Sequence, residues 1–177
     1  MRRRTFLGAT LGYYALPLAV RAAAAAGRVV VVGGGWGGLA AARHLRGLAP
    51  QIDVTLIDRQ PEFWSQPLSN RWLVGLAKSE WLRHDYRQAA QHYGYRFVNA
   101  EIRGIDRSTR EVVTAAGKYP YDWLVLAPGI REDFSAWYGV DRDSAAHTRQ
   151  HFPSAFAAGR DHLALKAKLE GFRGGDL

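Results

Sequence analysis

Four β-branched residues in a row, Val29 to Val32, read as a strand that is apolar on both faces, the pattern of a buried parallel sheet. They run straight into Gly33-Gly34-Gly35-Trp36-Gly37-Gly38, after which Leu39 to Leu45 reads as a helix. A second run, Ile52 to Ile57, and a third, Tyr95 to Ala100, predict further parallel strands. Between those two strands, Arg59 to Asn70 holds Pro61 and Pro67 and reads as a loop. Trp72 to Val74 and Lys78 to Tyr93 read as helical, with Trp81, Leu82 and Tyr86 on one face. Ile102 to Asp106, Glu111 to Ala115 and Lys118 to Tyr121 then predict a short antiparallel excursion, with turns at Arg107 to Arg110 and Ala116-Gly117. Asp122-Trp-Leu-Val-Leu-Ala-Pro-Gly129 reads as another buried strand ending in a glycine turn at the same sheet edge. Pro153 to Phe172 reads as an amphipathic helix with Leu165, Leu169 and Phe172 at i, i+4 and i+7. The class is α/β: a Rossmann-like parallel sheet with a small antiparallel β flap.

Placed between a strand and a helix, Gly33-x-Gly35-x-x-Gly38 carries chemistry. Gly33 allows the tight turn, Gly35 lets a pyrophosphate approach the backbone, and Gly38 lets the helix lie close to the strand. The helix N-terminus adds unpaired N–H groups and a positive dipole end. The second strand ends at Asp58, 20 residues beyond Gly38, where a carboxylate grips the ribose hydroxyls of an adenosine. Charge repulsion at Asp58 disfavours a 2′-phosphate, while Arg59 next to it leaves one open. The expected ligand is an adenine dinucleotide.

At 177 residues the chain is long enough for one well-buried domain. The net charge is +8, but Arg2, Arg3, Arg4 and Arg21 stand in the first 27 residues, which hold no acid. The remainder carries a mild excess of +4 and no basic stripe with interleaved aromatics, so a nucleic-acid partner is not expected. With no cysteine, the chain forms no disulfide, thiolate zinc site or thiol nucleophile. Its six histidines show no metal-ligand spacing; His147 and His151 are four apart without an acid or third ligand, and read as solvated.

Residues 1–26 read as an export signal. Arg3-Arg4-Thr5-Phe6-Leu7 resembles the twin-arginine motif, a weak apolar run follows, and small residues before Gly27 suit cleavage. The run is too short and too weak for a stable membrane span. A disordered basic tail or an uncleaved anchor is the alternative. Twin-arginine export carries folded proteins, often loaded with a cofactor, which agrees with a dinucleotide bound before export to the periplasm.

Gly33 to Gly38, Asp58, Pro67-Leu-Ser-Asn70, the flap and Leu124-Val-Leu-Ala-Pro-Gly-Ile130 together resemble the FAD-binding half of the two-dinucleotide-binding-domain flavoproteins. The likeness is greatest to the flavoprotein subunit of flavocytochrome c sulfide dehydrogenase, with sulfide:quinone oxidoreductase nearby, and runs from Arg28 to about Gly175. The resemblance implies Gly33, Gly35, Trp36 and Gly37 at the FAD pyrophosphate, Gly38 behind them, and Asp58 and Arg59 at the adenosine. It implies Asn70 near the isoalloxazine, the backbone of Glu101 facing the adenine, and Ala127, Pro128 and Gly129 closing over the cofactor. It further implies a small sulfur substrate and a c-type cytochrome as electron acceptor. Where that family tethers its flavin through a cysteine, this chain has Gln66, so FAD is expected to be held non-covalently. The resemblance places the family's redox-active cysteine pair downstream of the last of these 177 residues.

Residues 27–130 are therefore expected to be the N-terminal part of an FAD domain, and 131–177 a linker and the first helix of a second, incomplete domain. A natural stop after a capping glycine is the alternative. Two other functions stay open: a pyridine-nucleotide-dependent flavin reductase related to type II NADH dehydrogenases, and a truncated, non-catalytic nucleotide-binding module. The export reading has a direct check. Changing Arg3 and Arg4 together to Lys should leave the protein in the cytoplasm with its leader uncleaved. Unchanged periplasmic delivery in a fractionation assay would overturn it.

Overall fold

A run of valines can fill a strand only where both faces of the sheet are covered, and that is how the chain is built. A computed structural model describes residues 27–155 and 159–175; the leader read at residues 1–26 lies outside them. In chain order the first elements are β1 (Arg28–Val32), α1 (Trp36–Leu48), β2 (Asp53–Asp58), β3 (Glu62–Trp64) and α2 (Ser69–Leu73). A 3-10 turn (Ser79–Trp81), β4 (Arg83–Asp85), α3 (Tyr86–Tyr93) and β5 (Arg96–Asn99) follow. The flap is β6 (Ile102–Asp106), β7 (Glu111–Thr114) and β8 (Gly117–Pro120), and the chain continues through β9 (Trp123–Leu126), α4 (Ser135–Tyr138), α5 (Arg142–His151) and α6 (Arg160–Gly171).

The main sheet is four parallel strands in the order β5-β2-β1-β9. Val29 and Val31 point to one side, where Ala42 of α1, Leu56 and the α3 residues Tyr86 and Ala90 bury them. Val30 and Val32 point to the other, where Val112 of the flap, Ile57, Val98 and Tyr121 close the core. Alternation along one strand thus feeds two cores, one under the helices and one under the flap. The flap is antiparallel and turns tightly after Asp106. The Asp106 carboxylate accepts the Ser108 hydroxyl and the backbone N–H groups of Ser108 and Thr109, which hold its pKa down at about 2.

Three local expectations change. Arg59 to Asn70 is not all loop, and Lys78 to Tyr93 is not one helix. Arg83 to Asp85 pair antiparallel with Glu62 to Trp64, and an Arg83–Glu62 ion pair of 2.8 Å holds the ribbon. Asp85 then caps α3 by accepting from Arg87 N at 2.6 Å, so the helix starts only at Tyr86. Trp81 is accordingly exposed while Leu82 and Tyr86 are buried. The second change is β9, read as a buried strand. It lies at the sheet edge, and Trp123 and Leu126 are 55% and 59% exposed because no described strand pairs with its outer side.

The third change is in the last helix. It begins at Arg160 rather than Pro153, and two short helices, α4 and α5, precede it. Its buried residues are Asp161 and His162, while Leu169 and Phe172 of the expected apolar stripe are about half exposed. No described helix is long and apolar enough to cross a membrane.

Leu56 is fully buried in the helix-side core, whereas Leu48 at the end of α1 is 85% exposed. Leu56→Ala should therefore cost about 2–5 kcal/mol in urea unfolding and Leu48→Ala less than about 0.5. Equal losses at the two positions would contradict this core.

Candidate functional site

Parallel strands all end on one side, and here those ends bring the glycine-rich turn against two neighbours. Gly33 N donates to Ile57 O at 2.9 Å, and Ala127 N donates to Val32 O at 2.8 Å. Gly33 has φ +98°, and a Cβ there would stand 2.1 Å from the Ala127 carbonyl oxygen. At Gly38 a Cβ would fall 1.8 Å from the Gly33 carbonyl oxygen. Both residues are glycine because backbone already fills the space of a side chain.

Gly35 is different. It is the N-cap of α1, and a Cβ placed on it would meet nothing within 4 Å. No side chain caps the helix, and its first turn holds no acid. The open space in front of Gly35 therefore faces uncompensated N–H groups at the positive end of a helix dipole, a cradle suited to a pyrophosphate. Gly37 follows in this first turn, its Cβ position 3.8 Å from the Ala127 side chain. Trp36, also in the first turn and more than half exposed, meets Phe63 of β3 edge to face at 5.1 Å. Phe63 stacks in turn on His84 at 6.2 Å, so the β3–β4 ribbon buttresses the entrance to the helix.

The middle glycine, Gly34, is held hardest. Its N–H donates to Asp58 Oδ2 at 2.6 Å, and its carbonyl accepts the Tyr86 hydroxyl at 2.8 Å. A Cβ on Gly34 would lie 2.5 Å from that hydroxyl oxygen and almost as near the ring. Tyr86 is buried and stacked on Phe97 at 4.7 Å. Burial, and after it the charge of Asp58, raises the Tyr86 pKa above its ordinary value, which keeps the phenol a donor. Neither Gly34 nor Tyr86 is legible as a site residue in the sequence. Gly34 sits at a variable position of the motif, and Tyr86 lies 52 residues away with no spacing rule to mark it.

Asp58 thus does more than await a ligand. Its second oxygen accepts Gln60 N at 2.7 Å, so each carboxylate oxygen already holds one backbone N–H. A carboxylate has about four acceptor positions, which leaves capacity for ribose hydroxyls. Arg59 is exposed next to it. Pro128 touches the turn, its Cα 3.1 Å from the Gly33 Cβ position, and Gly129 continues outward at φ +73°.

The structure therefore brings together Gly33, Gly34, Gly35, Gly37, Gly38, Asp58, Ala127 and Pro128. Glu101 follows β5, two strands away along the same edge, and its carbonyl accepts Ala115 N of the flap at 3.3 Å. Asn70 is exposed on α2, a helix packed against α6, with its side-chain oxygen accepting from Arg71 N at 2.8 Å. A groove of about 420 Å³ opens at the opposite, amino end of the sheet, but its arginines are engaged structurally. Arg28 pairs with Asp122, Arg46 donates to the Pro50 and Ile52 carbonyls, and Arg96 lies over Tyr119.

Residues 27–161 match the family model described as pyridine nucleotide-disulphide oxidoreductase. The chain belongs to this family. Among curated relatives it is 33% identical over 116 residues to the sulfide-quinone reductase of Aquifex aeolicus, covering 65% of this chain and 27% of that protein. It is 30% identical over 85 residues to a type II NADH:quinone oxidoreductase of Staphylococcus haemolyticus, covering 48% of this chain and 21% of the relative. The solved sulfide:quinone oxidoreductase of Aquifex aeolicus superposes with a TM-score of 0.67 at 30% identity, over 81% of this chain and 32% of that one. A chain of the covalent putidaredoxin reductase–putidaredoxin complex gives 0.67 at 24% identity over 82% of this chain and 34% of its own, a likeness of fold. The chain thus spans about a third or less of the length of these relatives. The expected α/β class holds, and the architecture is the Rossmann-like FAD-binding fold of this family.

The glycine geometry makes an ordered test. Gly34→Ala and Gly38→Ala, whose Cβ atoms meet a buried ring and a carbonyl, should each cost more than about 2 kcal/mol in urea unfolding of ligand-free protein. Gly35→Ala, with open space before it, should cost about 1 kcal/mol or less. The reverse order would refute the turn described here.

Proposed function

We propose that this chain is the FAD-binding part of an exported flavoprotein that oxidises a small sulfur compound and passes the electrons to a c-type cytochrome. The observation that carries the reading is the open, uncapped first turn of α1 at the carboxyl edge of the sheet. It supports a dinucleotide site in a chain with a sulfide-quinone reductase among its relatives. When bound, FAD supplies a two-electron acceptor, and the protein's part is to bind, orient and shield it.

In this reading Gly35, Trp36 and Gly37 present the α1 N–H groups to the pyrophosphate, while Gly33 and Gly38 shape the turn behind them. Asp58 accepts from the ribose with the acceptor capacity that Gly34 and Gln60 leave. Ala127 to Gly129 close one side, with Arg59, Asn70 and Glu101 as outer contacts to the adenosine, the isoalloxazine and the adenine. Gln66 cannot form a thioether as a cysteine does, so the flavin is held without a covalent bond. With no cysteine in its 177 residues, this chain leaves any disulfide chemistry on the sulfur substrate to groups elsewhere. Export by the twin-arginine route would place the assembly in the periplasm, beside c-type cytochromes. The Staphylococcus relative favours a second reading, in which a pyridine nucleotide is the electron donor.

Flavin content tests the site, and the choice of reductant tests the reading. Full-length protein loaded with FAD should release free FAD into the supernatant on acid denaturation, and Gly35→Val should abolish retention while far-ultraviolet circular dichroism stays unchanged. Flavin that stays on the denatured polypeptide would overturn the non-covalent assignment; equal retention by Gly35→Val would overturn the site. In the parent assembly, flavin bleaching by sulfide but not NADH is expected, and bleaching by NADH alone would favour the second reading.

A further inference from the structure

Away from the dinucleotide edge, α5 presents two imidazoles as a matched pair. His147 and His151 are one helical turn apart, both exposed, with ring centroids at 3.9 Å and planes 23° from parallel. Residues at i and i+4 share a helix face, so the juxtaposition is set by the backbone. The opposite side of α5 is anchored. Thr148 is buried and donates its hydroxyl to Tyr138 at 2.7 Å, and Arg149 reaches Asp161 at 3.5 Å. Asp141 caps the helix start by accepting from Ser144 N at 2.9 Å. The pair therefore stands outward on a helix tied down at its front and back.

A hydrogen bond selects the ligating nitrogen. His151 Nδ1 lies 3.0 Å from the His147 carbonyl oxygen. A carbonyl can only accept, so Nδ1 is the donor, and in the neutral imidazole the lone pair is then on Nε2. An imidazole whose other nitrogen donates to a backbone carbonyl is the usual state of a metal-bound histidine. Side chains one helical turn apart are neighbours on the helix surface, so both imidazoles can reach one ion once the rings rotate out of their stacked arrangement. The pair reads as solvated in the sequence for want of a third ligand, but its i, i+4 placement is that of the two histidines of helical zinc motifs, and the folded helix sets the rings side by side.

We propose that His147 and His151 form a two-imidazole chelating site for a late first-row divalent transition ion, with copper(II) bound most tightly. Neutral imidazoles favour copper, nickel and zinc, and affinity rises toward copper along the divalent series. Among the described residues no group of three or more His, Cys, Asp or Glu side chains converges on an ion. Water thus completes the coordination sphere, and the site is an open one.

Titration of copper(II), then nickel(II), into the full chain tests this by calorimetry and by the copper visible and paramagnetic resonance spectra. One equivalent should bind with nitrogen ligation, copper more tightly than nickel. His147→Ala and His151→Ala should each lose at least about tenfold in affinity, no less than removal of an outer-shell partner costs. A variant combining Ala146→His with His147→Ala keeps the histidine count but moves one ring off the shared face, and should bind as weakly as the single variants. Excess ion should raise the melting temperature of the wild type and not of these variants, by the linkage of binding to folding. Wild-type affinity in the displaced-histidine variant, or no ion binding by the wild type, would overturn the site. Circular dichroism separates either result from misfolding.

Discussion

Three backbones meet at the end of β1 with no room for a side chain, and the rest of the molecule is arranged to allow it. The carbonyl of Gly33 fills the place of a Cβ on Gly38, and the carbonyl of Ala127 fills the place of one on Gly33. α1 can lie on the strand only because of the first approach, and β9 can end beside β1 only because of the second. Close packing of this kind leaves no slack: interiors of protein density transmit a displaced backbone to every neighbour. The open space before Gly35 is the counterpart: it is the one glycine of this turn where a Cβ would meet nothing within 4 Å. A turn crowded on its inner side and empty on its outer side is what a pyrophosphate needs.

The turn is also held from below. Gly34 is bonded through its N–H by Asp58 from β2 and through its carbonyl by Tyr86 from α3, so both backbone polar groups of this residue have partners inside the protein. A buried backbone group without a partner costs about 1–3 kcal/mol, and these two bonds remove that cost while fixing the loop. The arrangement links cofactor chemistry to core packing. Tyr86 stacks on Phe97 and meets Phe63, which meets Trp36, so the loop, the β3–β4 ribbon and the first helical turn share one aromatic cluster.

The last third is built on other terms. α6 docks on α2 through Lys166, whose ammonium donates to the Trp72 carbonyl at 3.0 Å and lies 5.3 Å from the centre of the Trp72 ring. His162 and Asp161 are buried, while large apolar residues such as Trp137, Val140 and Phe152 are exposed. Such packing buries little apolar surface per residue, and the hydrophobic contribution scales with that area. The dinucleotide half carries most of the apolar core, and the bis-histidine face of α5 is a surface feature of the more polar part.

The sequence by itself determined the sheet and the turn. Val29 to Val32 read as a strand covered on both faces, Gly33 and Gly38 as the tight turn and the close helix–strand approach, and Asp58 as the end of the following strand. These readings hold because they depend on local sterics and on a period of two, both of which lie within a few residues. The tertiary structure decided the rest. The Arg83–Glu62 ribbon needed partners 21 residues apart, and it converted a helical pattern into a strand and a late-starting helix. The Gly34 clamp needed a tyrosine 52 residues away. The position of β9 at the sheet edge, and the polar face that α6 turns inward, depend on which surfaces lie opposite them. A hydrophobic pattern states that a face seeks cover; only the folded chain decides what covers it.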